Sequence, residues 1–353
     1  MNGRDGTVAR VSFLGDTLVG GEAQAVLDTH SPDWAFDGFR HVLASSDLVV
    51  ANHEGPITNR NHPASKLDTG RKRYWYRALP SAIPALAAAG IRVVSLGNNH
   101  VLDFGSAGLL DTIEELDRAG IAHCGAGANR SAARKPAIVE INGLRLGFVS
   151  FMQRYDVYLA ERLYAGRDRP GPLLLKSDRM RRDIEKLRAS VDWTVALVHW
   201  GRNYRKRNPR QRRLAREIRA AGAGMIVGHH PHVPQRISVQ SGVPVCYSLG
   251  NGPLGTPGRF HSGRLPYGLV VTVDLDEGAR VRRLQVTALH VDNSQVAFQP
   301  RVAGDTASIE MLRSLVAKQL DWRECDGGLA AEVPRARSPL RVPEPPDGVG
   351  EVA

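Results

Sequence analysis

Five apolar runs along the chain end in groups that can bind a metal or move a proton. They are Val11-Ser12-Phe13-Leu14 before Gly15-Asp16, Leu48-Val49-Val50-Ala51 before Asn52-His53-Glu54, and Val93-Val94-Ser95-Leu96 before Gly97-Asn98-Asn99-His100. The remaining two are Val195-Ala196-Leu197-Val198 before His199-Trp200-Gly201, and Met225-Ile226-Val227 before Gly228-His229-His230-Pro231-His232. Short continuous apolar runs bounded by turn residues predict buried strands, and open α/β sheets carry their ligands at the carboxyl ends of such strands.

Amphipathic segments alternate with these runs. The pattern predicts helices over Pro80 to Gly90, Ser106 to Gly120, Ser177 to Ser190 and residues 208–222, with glycines closing three of them. A second kind of segment reads as antiparallel: Pro136–Ile141 and Leu144–Phe151 flank Asn142-Gly143, a hairpin turn, and Pro244–Ser248, Tyr267–Asp274 and Val281–His290 follow. Mixed sheets with helices outside accommodate both kinds. Residues 306–321 predict a last helix. The proline-rich stretch from about 327, with Pro334, Pro339, Pro343, Pro345 and Pro346, predicts a disordered tail. One domain is therefore expected over 7–322, with a tail over 323–353.

With 353 residues and 42% hydrophobic content, the chain can bury one large α/β core. Cys124, Cys246 and Cys325 are odd in number and far apart, which excludes a disulfide framework and a Cys-x-x-Cys zinc site. The amino-terminal residues carry no long apolar segment, so a cytoplasmic protein without membrane association is expected. The net charge of +11 favours polyanions or acidic peptides without specifying nucleic acid. Arg202, Arg205, Arg207, Arg210 and Arg212 follow the His199 run; they read equally as a solvated helix face or as charge beside a site.

Three histidines in the four residues 229–232 point to metal chemistry, because neutral imidazole is the commonest protein metal ligand. Alone they could be solvated loop residues. Four companion strand ends carrying similar groups favour a shared site.

The set of motifs resembles the CapA-like family, named for poly-γ-glutamate capsule synthesis and similar to a divergent branch of the calcineurin-like metallophosphatases. The resemblance rests on Gly15-Asp16, Asn52-His53-Glu54-Gly55-Pro56, Asn98-Asn99-His100 with Asp103-Phe104-Gly105, His199-Trp200-Gly201, His230-Pro231-His232 and Ser248-Leu249-Gly250-Asn251, and spans residues 11 to 251. It implies an α/β, metallophosphatase-like four-layer αββα sandwich of two mixed β-sheets. It also implies Asp16, Glu54, Asn99, His199, His230 and His232 as metal ligands and His100 as a general acid, with Asp103 orienting it. His229 falls outside that pattern. Oxygen and nitrogen ligands together suit Mn, Fe or Zn. Two departures weaken the case for a tight two-metal phosphoesterase centre: Asp16-Thr17-Leu18 replaces Asp-x-His, and Asn52-His53-Glu54 replaces Gly-Asp-x-x-Asp.

Three functions are compatible with this reading. One is metal-dependent hydrolysis of a phosphoester or amide, with His100 protonating the leaving group. Another is a role in poly-γ-glutamate capsule synthesis. The third, which the resemblance also implies for members in lasso peptide biosynthesis, is L-to-D epimerisation at a Cα of a ribosomal precursor peptide. Epimerisation needs an acid and a base on opposite faces; the resemblance implies the first-motif aspartate and a histidine near the domain's carboxy-terminal end, here Asp16 and His290, with no metal required. It suits a cytoplasmic enzyme with a basic surface meeting an acidic leader peptide, and is the reading preferred from sequence. Trp75, Tyr76, Trp200 and Tyr204 are candidate groove residues or ordinary packing.

Overall fold

The computed structural model describes residues 6–31, 33–66, 74–256, 260 and 264–334. Among these, two large mixed sheets of ten and six strands form the frame. In the first, Ala9–Leu18 pairs in parallel with Leu48–His53, which pairs in parallel with Ile91–Ser95. On its other side Ala9–Leu18 pairs antiparallel with Tyr267–Leu275, and that strand pairs antiparallel with Val281–His290. In the second sheet, Met225–His229, Trp193–His199 and Leu144–Met152 are parallel neighbours, and the hairpin Ala137–Ile141/Leu144–Met152 closes one edge.

Alternation along the strands sorts the side chains into layers, because successive residues face opposite sides of a sheet. Val11, Phe13, Val50, Val93 and Val271 meet Phe148, Val195, Leu197 and Val227 between the sheets. The opposite face of the first sheet, with Leu14, Val49 and Val94, packs on Phe36, Leu86, Leu109 and Leu116. On the second, Val149, Ala196, Val198 and Ile226 pack on Met180, Ile184, Leu214 and Ile218. The protein is an αββα sandwich. Its central strands are apolar throughout because both of their faces are covered.

Helices Gly105–Arg118, Ser177–Arg188 and Pro209–Ala220 occupy the predicted segments. The last starts at a capping box in which Asn208 and Gln211 satisfy each other's backbone N–H groups. The Pro80 segment splits into a 3-10 turn, Pro80–Ala82, and a short helix, Ile83–Ala88. The carboxy-terminal helix is shorter than expected, Thr306–Leu315, with a β-conformation cap at Val316.

The expected domain limit at 322 is too short. Arg323–Cys325 and Gly328–Glu332 form an antiparallel hairpin, and the second strand pairs with Val281–His290. Leu329 and Ala331 face the core from it, burial that the following prolines masked in the sequence pattern. Residues 335–353 of the expected tail lie outside the described residues. No helix among the described residues is long and apolar enough to cross a membrane.

Candidate metal centre

The site forms where the carboxyl ends of both sheets converge. Asp16 lies within its strand, which runs past Gly15 to Leu18, while Glu54 immediately follows Leu48–His53. His199 is the last residue of Trp193–His199, and His230 and His232 follow Met225–His229. All five are buried. His230 and His232 take positive φ angles of 96° and 56°, a conformation uncommon for residues other than glycine. This backbone turns both rings inward around Pro231. At Gly228, a Cβ would stand 2.1 Å from the Tyr247 carbonyl oxygen and 2.4 Å from Trp200 Nε1, so the close approach there requires glycine.

Two groups of three ligands emerge: Glu54, His199 and His230, and Asp16, Glu54 and His232. Within each, the ligand atoms lie within 4.8 Å of one another. Glu54 belongs to both. Its Oε1 lies 3.7 Å from His199 Nε2 and its Oε2 3.8 Å from His232 Nδ1. The weakened dinuclear motif thus still delivers two adjacent donor sets joined by one carboxylate.

Hydrogen bonds hold the donors. Asn52 Nδ2 donates to Asp16 Oδ1 at 2.9 Å, and the His230 backbone N–H donates to Asp16 Oδ2 at 3.2 Å. Asn98 Nδ2 donates to the His53 carbonyl at 2.8 Å and so ties the third strand end to the second. Asn99 Oδ1 is 2.8 Å from His199 Nε2, and Asn251 Oδ1 is 3.0 Å from His232 Nδ1. His229 turns away, with Nε2 3.1 Å from the Leu14 carbonyl.

Burial sets the charges. It raises the Glu54 carboxyl well above its ordinary range, with Asp16 adding to the effect. It drives His230 down to about 3, with help from His232, and pulls His199 well below the usual imidazole value. Both are therefore neutral, the form that binds metal. At His232 burial works downward, but Glu54 and Asp16 outweigh it and push that ring up to about 9. At Asp16 burial works upward, and the hydrogen bond and charge of His232 outweigh it to lower the carboxyl.

These residues fit a divalent cation. Both Glu54 oxygens are buried without a hydrogen-bond partner among the described residues, an arrangement that is expensive unless positive charge meets it. The mixed oxygen and imidazole donors suit Mn, Fe or Zn.

His100 stands beside the cluster, where its charge acts on His199 and His230. Its Nδ1 is 2.7 Å from Asp103 Oδ2, and its ring stacks on Tyr76 with centroids 4.0 Å apart. Asp103 also receives the Tyr76 backbone N–H at 2.7 Å and pairs with Lys66 Nζ at 2.6 Å. Burial lowers the His100 pKa, against the pull of Asp103.

His290 does not join this assembly. Its strand pairs it with Tyr267, whose ring it meets edge-on at 5.9 Å, and its charged neighbours are Arg301, Asp292 and Asp305. The expected Asp16/His290 pair has no contact in the described structure; both oxygens of Asp16 are engaged by Asn52, His230 and His232. The aromatic candidates separate as well. Trp200 is core, donating to the Tyr247 carbonyl at 2.8 Å, and Trp75 is exposed, donating to the Ala64 carbonyl at 2.7 Å. Tyr204 lies 5.8 Å from His232 between ring centroids. Sequence reasoning missed Asn52, Asn98 and Tyr155, whose ring lies 5.2 Å from His230. Asn52 and Asn98 were signalled by their places in strand-end motifs; Tyr155 carried no such signal. A cavity of about 520 Å³ opens beside Trp193 and Gly224, at the starts of the strands, and none of the metal-binding candidates line it.

Fold and site together define a mixed α/β protein with a buried carboxylate–histidine centre at its strand ends. The chain belongs to the bacterial capsule synthesis protein family PGA_cap, whose model matches residues 10–252. It is 30% identical to the capsule biosynthesis protein CapA of Bacillus anthracis over 253 residues, 70% of this chain and 60% of that one. It is 31% identical to the PGA biosynthesis protein CapA of Bacillus subtilis over 247 residues, 69% of this chain and 63% of that one. The chain thus spans about three fifths of the length of these relatives. A calcineurin-like phosphoesterase from Bacillus subtilis is similar at a TM-score of 0.43 and 13% identity, covering 79% of this chain and 90% of that one.

Proposed function

We propose that this protein is a divalent-metal-dependent hydrolase that cleaves a phosphoester or amide bond during the making of a capsule-type acidic polymer. The observation that carries the proposal is the sharing of Glu54 between two buried three-ligand groups beside the His100–Asp103 pair. Asp16, Glu54, His199, His230 and His232 would hold the metal, and Asn99 and Asn251, whose Oδ1 atoms meet the same His199 Nε2 and His232 Nδ1 that face the carboxylates, would offer it further oxygen donors. When bound, the ion supplies Lewis-acid polarisation of the scissile carbonyl or phosphoryl group.

The chain's own residues do the rest. Asp103 accepts from Nδ1 of His100, so the other ring nitrogen carries a proton, and can pass it to the leaving group, only when the ring is the imidazolium, the form that Asp103 favours. Tyr76 fixes the ring by stacking and Asp103 by its backbone N–H. The capsule polymer enters through family membership, and the bond cleaved through the site's chemistry.

Epimerisation by Asp16 and His290 draws no support from this arrangement, because His290 sits among Tyr267, Arg301 and Asp305. The test is turnover of bis(4-nitrophenyl) phosphate and of poly-γ-glutamate by chelated protein, before and after restoring Mn or Zn. Metal-restored cleavage of either substrate, lost in Glu54→Gln, is expected. Cleavage indifferent to metal, or no cleavage of either substrate, would sink the proposal.

A further inference from the structure

Two cavities outside the metal centre meet at one arginine. The first, about 460 Å³, has Lys66, Asp103, Glu161, Arg162 and Arg169 as its charged lining. The second, about 180 Å³, is walled by Arg130, Arg134, Arg169, Lys176 and Arg179. Asp183 is the one carboxylate on its wall, and Arg134 occupies it, with Nε 3.0 Å from Oδ1. Five cations therefore face a single acid that is already paired.

Like charges gathered at a partly buried wall repel one another. Arg169 registers the crowding: burial, then Arg162 and Arg130, lower its pKa from the usual guanidinium value. Its Nη2 donates to the Tyr164 carbonyl at 3.0 Å, while its Nε is buried without a hydrogen-bond partner among the described residues. An oxyanion would satisfy both the charge and the donor, since guanidinium forks match carboxylate and phosphate oxygens. Nucleic acid is a poorer match. Binding of single strands relies on open aromatic faces for base stacking, and the two aromatics here, Phe151 and Tyr164, are 1% and 4% exposed.

We propose that the cleft formed by Arg130, Arg169 and Arg179 is a binding site for an oxyanion, phosphate or carboxylate, distinct from the metal centre. It stands independently of the hydrolase reading. The anion can come from a free inorganic ion or from the carboxylates of an acidic chain lying across this face.

Titration calorimetry at low salt, in chelator so that the metal centre does not contribute, distinguishes these sources with inorganic phosphate and triglutamate as separate probes. Wild-type binding that weakens at least tenfold in Arg179→Gln and in Arg169→Gln, and is unchanged in the control Arg145→Gln, is the expected result. Phosphate binding alone identifies a free oxyanion; tighter triglutamate binding identifies an acidic chain. If Arg169→Gln fails to fold, the double variant Arg130→Gln with Arg179→Gln, at one exposed and one half-buried position, carries the test. Absence of binding by both probes, or binding that survives these substitutions, overturns the proposal.

Discussion

His230 Nδ1 faces His199 Nε2 across 3.1 Å, so two imidazoles that burial keeps neutral point at each other beside Glu54. At this distance one ring nitrogen donates to the other, and a bound cation would replace that proton with both nitrogens as ligands; Glu54 Oε1 lies 3.7 Å from the same His199 Nε2.

Glu54→Gln should have opposite effects on stability and on metal binding. In chelator, Gln keeps the shape and removes a carboxyl whose charge burial already disfavours and whose oxygens make no hydrogen bond among the described residues, so the melting temperature should stay unchanged or rise. With Mn or Zn added, the variant should lose at least about tenfold in metal affinity and most of the ligand-induced stabilisation. Metal content after dialysis and melting curves in both conditions provide the check. Equal metal binding by variant and wild type would remove Glu54 from the centre.

His100→Ala should slow turnover most when the leaving group is basic. General acid catalysis contributes roughly 10²–10⁴-fold, and a good leaving group such as 4-nitrophenolate needs little of it. Rates measured across phenyl phosphodiesters of rising leaving-group pKa should therefore diverge between the variant and wild type. Parallel slopes would take the proton-donor role away from His100.

Gly228→Ala should be costly beyond its size. The added methyl would press on the Tyr247 carbonyl, which is backbone, and on Trp200, so the strand must shift just before His230 and His232. A loss of about 1–3 kcal/mol in denaturant unfolding is expected, together with weaker metal binding. A variant with wild-type values for both would show that the strand end tolerates displacement.

Asp305 caps the helix Thr306–Leu315, with Oδ1 accepting the Ser308 backbone N–H at 2.7 Å and the Tyr267 hydroxyl at 3.0 Å. The Ser308 hydrogen bond, ahead of the opposing effect of burial, lowers its pKa. A depressed folded-state value means that the stabilisation is complete above the ordinary aspartate range and disappears as pH falls through the folded-state pKa. Asp305→Ala should cost about 1 kcal/mol at neutral pH. Urea unfolding repeated at descending pH should bring the two proteins together in acid; a gap independent of pH would mean that the carboxylate's charge contributes nothing.

Much of this was legible from apolar runs ending in polar chemistry. Glu54, His199, His230 and His232 converge at or just past strand ends, with Asp16 near the end of its own strand, because strands sharing a direction share an end. What local pattern could not carry was lateral position. Asn52 reaches Asp16 because Leu48–His53 lies parallel to Ala9–Leu18, with these two residues as register partners. For His290, which the family resemblance places with Asp16, lateral position again decides. It ends a strand in the same sheet, but that strand lies beyond Tyr267–Leu275, and its terminal side chain meets Tyr267 and the loop acids. The hairpin at 323–332 was hidden for a related reason: its partner, Val281–His290, lies some forty residues earlier, and the nearby prolines dominated the local composition.

Asp16 and Glu54 belong to one sheet, and His199, His230 and His232 to the other. An ion held by both sets would act as a mechanical rivet through the sandwich. Sliding one sheet over the other would then require breaking coordination bonds as well as unpacking side chains, so metal supply would govern the rigidity of the whole frame along with its chemistry.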